Sequence, residues 1–247
     1  MLLTGATLTW VLLASFGSAI VGGVGGFGTG IILTAVLVPL IGVKAVVPVL
    51  ALAGVIINAG RFAFYRRHVD ARALRYILIG ALPFLFLGTW LYATIPARPL
   101  GVIIAGLVLL SVPVRRFLTT RSISIGKRGL LGGGAVFGAA NGFASGMGVI
   151  VVSLLLGAGL SGSAVLATDA VIAIVIDVTR ALLFGRYNLL DLDHALLGVA
   201  IGLATLPGSW LASVLVSRLH AVLHVWIMDT LIITGGLMIL WNTLRLE

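Results

Sequence analysis

The sequence predicts an all-α, polytopic helical membrane protein built from two inverted repeats, each with a broken or re-entrant hairpin plus three transmembrane helices. Three observations carry that prediction. The 247 residues are 60% hydrophobic and only 9% charged, where a soluble domain carries about 25% charged residues. The apolar runs are long and continuous, without the alternation of a membrane β-barrel, so helices are the spanning element. A glycine-rich stretch, "GGVGGFGTG" from Gly22 to Gly30, returns as "GAANGFASG" from Gly138 to Gly146.

The repeat can be followed beyond those stretches. A shift of 116 residues places Gly22, Gly26 and Gly30 on Gly138, Gly142 and Gly146, with Phe27 on Phe143 and Thr29 on Ser145. A shift of 119 places Asn58 on Asp177, Arg61 on Arg180 and Arg67 on Arg186. A shift of 120 places Gly88 to Leu91 on Gly208 to Leu211. Small loop insertions would make the offset grow in this way, and the ordered series points to an internal duplication. The expected organisation is a first membrane repeat over 1–116, a cytoplasmic linker over 117–127 and a second repeat over 128–247, forming one integrated domain.

Each half reads as five segments. The first half has them at 5–22, 28–41, 44–65, 73–94 and 98–115, and the second at 129–143, 147–160, 163–184, 194–216 and 221–243. A spanning helix needs about 20 residues at 1.5 Å each. The run after each glycine cluster is too short to cross alone and is read as one arm of a hairpin or broken helix. Met1 to Ile20 is apolar without a basic leader and is read as a retained helix, since later segments repeat its pattern.

Lysine and arginine set the orientation. The loop "YRRHVDARALR" carries Arg66, Arg67, Arg72 and Arg75, and the central linker carries Arg115, Arg116, Arg121, Lys127 and Arg128. Both are expected on the cytoplasmic side. The loop equivalent to the first, "RYNLLDLDH", sets Arg186 against Asp191 and Asp193 and is expected outside. Equivalent loops on opposite sides require an inverted repeat with an odd number of segments per half, and five is odd. This distribution explains the net charge of +9 as membrane topology; nucleic acid is not an expected partner. With no cysteine there is no disulfide, thiolate metal site or thiol redox chemistry.

Gly23 to Gly28 is a literal G-x-G-x-x-G, but a dinucleotide turn needs a strand before it and a solvated helix after it. Here both flanks are apolar and of membrane length. Gly22/Gly26/Gly30 and Gly138/Gly142/Gly146 are also G-x-x-x-G series that let helix backbones approach closely. The functional reading adds a step. Helix N-termini carry unpaired N–H groups and attract anions. In an inverted repeat the two hairpin tips can meet near the middle of the bilayer and enclose a small anion. The substrate-binding candidates are Gly26, Phe27, Gly28, Thr29, Asn141, Ser145, Gly146 and Gly148.

Ionisable groups within membrane segments are functional candidates by default. Asp177 and Arg180 are three apart on one helix face and can pair; Asn58 and Arg61 share that spacing. Both arginines lie about 25 Å along their helices, toward opposite membrane faces, which suits gating or anion attraction by Asn58, Arg61 and Arg180 better than a central position. Asp177 and Asp169 are candidates for a coupling proton, with Asp229 closer to a rim. Lys44, His220 and His224 sit near segment ends and read as interfacial, as do the tryptophans. "GFASG" invites comparison with an intramembrane serine protease, but Phe143 replaces a glycine and no histidine lies mid-membrane to act as base. No metal site and no cofactor are expected.

With these residues assembled, the chain resembles the TauE/SafE family of sulfite-exporter-like permeases over nearly its whole length. The resemblance rests on the layout from Gly17 through Leu40, the "Y-R-R-H-V-D" loop, and "NGFASGMG" with "ATDA" in the second half. The family's fuller glycine run is interrupted here by Phe27. Pro39 is retained after it, while the second half has only Gly157 and Gly159. The resemblance implies transport of sulfite or an organosulfonate across the cytoplasmic membrane of a prokaryote, usually outward. The expected function is a secondary transporter for a small anion working by alternating access, with proton coupling open. The alternatives are a passive anion channel, or a membrane scaffold or sensor without flux. Expected partners are the anion and the lipid bilayer, with a homo-oligomer left open.

Overall fold

The computed structural model describes residues 4–25, 28–120, 124–215 and 221–245. Gly26, Phe27, Arg121 and His220, singled out above, lie outside the described residues. The described residues form helices joined by short turns. In order these are α1 (Gly5–Gly25), α2 (Thr29–Ile41), α3 (Val43–Tyr65), α4 (Ala71–Thr94), α5 (Ala97–Thr120), α6 (Lys127–Phe143), α7 (Gly148–Gly157), α8 (Ser163–Arg186), α9 (Leu192–Leu215) and α10 (Ala221–Leu244). A 3-10 turn over Arg66–His68 joins α3 to α4. α5 continues to Thr120, through the first residues of the segment read as the linker.

The breaks fall where the glycines are. Gly28, at φ 108°, precedes α2, and Gly146, at φ 88°, lies just before α7. α2 has 13 residues and α7 has 10, so they rise only about 20 and 15 Å against a hydrocarbon core of about 30 Å. The two fourth helices start alike. Asp70 caps α4 by accepting from the Ala73 N–H at 2.7 Å, and Asp191 caps α9 by accepting from the His194 N–H at 2.8 Å. Such a side-chain oxygen satisfies one of the N–H groups that a helix start leaves free.

Among the described residues five helices are long and apolar enough to cross a membrane: windows of α1, α3, α4, α5 and α9. α8 has the length, at 24 residues, but carries Asp169, Asp177 and Arg180 within it. It is not an apolar span but an inner helix whose charges are turned onto its neighbours; those three residues are 1–8% exposed. α3 is its counterpart, with half of its apolar window buried against 28–39% in the other four.

The packing exchanges the two halves. α4 packs along α6 as α9 packs along α1; α3 meets α9 as α8 meets α4; α2 meets α10 as α7 meets α5. α3 packs on α8 and α5 on α10, each helix on its own counterpart. The α4–α6 contact runs backbone to backbone: a Cβ at Gly142 would lie 2.6 Å from the Gly88 Cα. Small residues permit this approach, and dispersion between the backbones rewards it. Outward faces carry exposed apolar side chains, among them Phe84, Phe86, Leu110 and Leu182. The tryptophans Trp10, Trp90, Trp210, Trp226 and Trp241 are all exposed near helix ends, the positions such rings take at a membrane interface.

Candidate functional site

The two glycine breaks touch. A Cβ at Gly30 would stand 3.0 Å from the Gly146 N, and one at Gly146 would stand 2.9 Å from the Ile31 N. The start of α2 thus lies against the turn before α7, and both helix N-termini face one cavity of about 750 Å³, counting its open mouth. Gly28, Thr29, Asn141, Ser145, Gly146 and Gly148 line it from the breaks; Asn58, Arg61, Asp169, Asp177 and Arg180 line it from α3 and α8. The remaining walls are apolar, with Leu33, Phe137 and Met147 among them.

α3 and α8 present the same register of side chains. Leu50, Gly54, Ile57, Asn58 and Arg61 line the cavity from α3; residues 119 further on, Asp169, Ala173, Ile176, Asp177 and Arg180 line it from α8. These positions recur at helical spacing, so each set occupies one face. Gly54, Ile57, Ala173 and Ile176 were not singled out from the sequence. Extending the 119-residue shift backwards from Asn58 and Asp177 would have found all four. Gly54 makes room for the opposite helix, since any Cβ there would overlap the Asp177 carboxylate.

Arg180 is 1% exposed and sits at the centre of this arrangement. Its Nη2 donates to the Ser145 hydroxyl at 2.9 Å and to the Val47 carbonyl at 3.3 Å. Its Nη1 donates to the Asn141 side-chain oxygen at 3.2 Å and to Asp177 Oδ1 at 3.3 Å. Among the described residues its Nε is buried without a hydrogen-bond partner. Asn58 Nδ2 donates to Asp177 Oδ2 at 3.4 Å and to the Gly54 carbonyl at 2.9 Å, joining the halves across the cavity. The expected Asp177–Arg180 and Asn58–Arg61 contacts are both present, the second at 3.2 Å.

Distance along the helix placed the arginines toward opposite membrane faces. Both guanidiniums line the shared cavity, since a long side chain carries its charge well away from its own Cα. Arg61 lies 3.0 Å from Asp169 Oδ2, a pair between the halves that sequence spacing could not reveal. The two side chains form an ion pair across the cavity. Next to Asp169, the Thr168 hydroxyl accepts from the Asp70 N–H at 2.9 Å. This contact ties "ATDA" to the arginine-rich loop.

Other candidates lie apart from the cavity. Asp229, expected near a rim, is 2% exposed on α10 and accepts from Arg116 at 2.8 and 3.2 Å. Lys44 donates to the last carbonyls of α4, Tyr92 at 2.7 Å and Ala93 at 3.0 Å. Among the described residues no group of three His, Asp or Glu side chains is placed to hold a metal. Ser145 is bonded to a guanidinium, which only donates, so that neighbour cannot serve as a base.

Buried charge in a membrane segment is costly and survives only where it is paired or lines a cavity. Two helix N-termini, two guanidiniums and the side chains of Thr29, Ser145, Asn58 and Asn141 converge on one cavity. Such a set of donors can hold a small anion. Comparison with protein-family models matches residues 11–239 to the description Sulfite exporter TauE/SafE. No curated protein and no solved structure matches the chain significantly.

Proposed function

The chain belongs to the TauE/SafE sulfite exporter family, a family of membrane permeases for sulfur anions, and we propose that its cavity is the binding site of a secondary transporter for sulfite or an organosulfonate. One observation carries the reading. Every described residue chosen from the sequence as binding, gating or coupling lines the same buried space, where the two broken helices meet. In this reading Gly28, Thr29, Asn141, Ser145, Gly146 and Gly148 cradle the anion. Asn58, Arg61 and Arg180 attract it and shape its path, and Asp177 and Asp169 are the groups that can take a coupling proton. Gly26 and Phe27 belong to the same cluster but lie outside the described residues.

The transport cycle is alternating access between two inverted repeats, as in carriers that bind substrate at broken helices near the bilayer midplane. The exchanged packing of equivalent helices supports the duplication, and the opposite charge of equivalent loops supports its inversion. The arginine-rich loop then marks the cytoplasmic side of a prokaryotic inner membrane. The test is counterflow in proteoliposomes with labelled sulfite and taurine. A carrier shows uptake accelerated by unlabelled anion on the opposite side. Flux without acceleration assigns a channel instead, and absence of flux assigns a scaffold or sensor.

A further inference from the structure

The ionisable side chains lining the cavity are Arg61, Arg180, Asp169 and Asp177, two cations and two anions that cancel. An anion entering this set would leave an excess negative charge buried in the membrane, which is strongly unfavourable. The two pairs are not equally able to admit it. Arg180 is 1% exposed and already donates four hydrogen bonds, to Ser145, Val47, Asn141 and Asp177. Asp177 is further held by Asn58. The Arg61 side chain is 21% exposed and, among the described residues, is held by Asn58 and by its ion pair with Asp169.

We propose that the anion binds on Arg61 in place of Asp169, and that Asp169 takes up one proton as it is displaced, so that the protein carries a monoanion and a proton together without net charge. The inference rests on the transport reading above and deepens it. A proton from the water at the cavity mouth bonds to a carboxylate oxygen of Asp169. The resulting neutral acid turns from acceptor to donor and hydrogen-bonds the anion it has admitted. The stoichiometry is one because Asp177 keeps its partners Arg180 and Asn58, and the register position 119 residues before Asp169 is Leu50, so α3 offers no second acid there.

The charged groups around Asp169 are known element by element. α3 brings Arg61, and α8 itself brings Asp177 and Arg180 two and three turns on. The 3-10 turn packed on α8 carries Arg66, Arg67 and His68, and α4 starts with Asp70, Arg72 and Arg75. α7 carries no charged residue, and α6 has only Lys127 and Arg128 at its far start. Arg61 is the one cation in an ion pair with Asp169 among the described residues.

The test counts protons on the purified wild-type protein. Methanesulfonate stays ionised across the working pH range, so any proton taken up on binding belongs to the protein. Titration calorimetry in buffers of different ionisation enthalpy gives the number, and the same count with sulfite is corrected for that anion's own protonation. One proton per anion is expected. In proteoliposomes, anion accumulation should reach about tenfold per unit of imposed pH difference, the factor set by one coupled proton, and should ignore a potential clamped with potassium and valinomycin. Asp169→Asn should lose the proton and make flux respond to the potential. Binding without proton uptake by the wild type, potential-driven flux in the wild type, or proton uptake that persists in Asp169→Asn overturns the proposal. If the variant does not fold, the wild-type count and the potential test decide. Failure of both anions to bind or move removes the transport reading itself, a result distinct from the others.

Discussion

Replacing Gly146 by alanine tests the meeting of the two breaks. Gly146 has φ +88°, and an added Cβ would stand 2.9 Å from the Ile31 N and 2.6 Å from the Ile31 Cγ1. A left-handed backbone costs a non-glycine residue about 1–2 kcal/mol, and overpacking against a fixed backbone adds about 1–3 kcal/mol. The expected loss is therefore about 2–5 kcal/mol, a thirty- to several-thousand-fold fall in the folded-to-unfolded ratio. Gly132→Ala is the matched control. It lies in α6 with nothing within 4 Å of an added Cβ, so alanine there should be neutral or stabilise by about 0.5–1 kcal/mol. The assay is unfolding of both variants in the same detergent, followed by size-exclusion recovery after heating, with sulfite counterflow on the reconstituted protein. Gly146→Ala should lose both stability and counterflow, and Gly132→Ala neither. Wild-type stability and flux in Gly146→Ala would refute the contact between the breaks and the cradle built on it.

Arg180→Gln leaves the buried Asp177 carboxylate without its cation and should cost about 3–5 kcal/mol; adding Asp177→Asn should restore recovery after heating but not counterflow, since the guanidinium is still missing. Asp191 caps α9, and the His194 N–H together with the His194 ring holds its carboxyl below the usual carboxylate range. Because the folded value is depressed, its support for the first turn of α9 is full above the ordinary carboxylate pKa and is lost as pH falls through the folded value. Amide-exchange protection at the start of α9 should follow that course in the wild type and lose it in Asp191→Asn, whose side chain caps without titrating.

Much of the fold was legible because membrane helices advertise themselves. The helices begin and end close to the segments read from hydropathy, and the glycine clusters mark both breaks. α8 was the exception in kind. Its length matches a span, but its charges make it an inner helix, and that depends on what surrounds it. For the site, the residue types were legible: a polar or charged side chain within an apolar segment needs a reason. Their partners were less so. Asp177–Arg180 follows from helical spacing, whereas Arg61–Asp169 and Arg180–Ser145 join residues 108 and 35 positions apart.

The sequence alone determined that this is a helical membrane protein, since composition and segment length are properties of the chain itself, and its ordered series of matches pointed to a duplicated plan. It also determined that glycine breaks and buried charges are where function should be sought. Tertiary structure decided that these features line one cavity. Close packing at glycine brings the start of α2 against the turn before α7, and long arginine side chains reach back into the space they enclose. Spacing along one helix fixes which residues share its face. It says nothing of which faces meet, because that is settled by packing between distant segments.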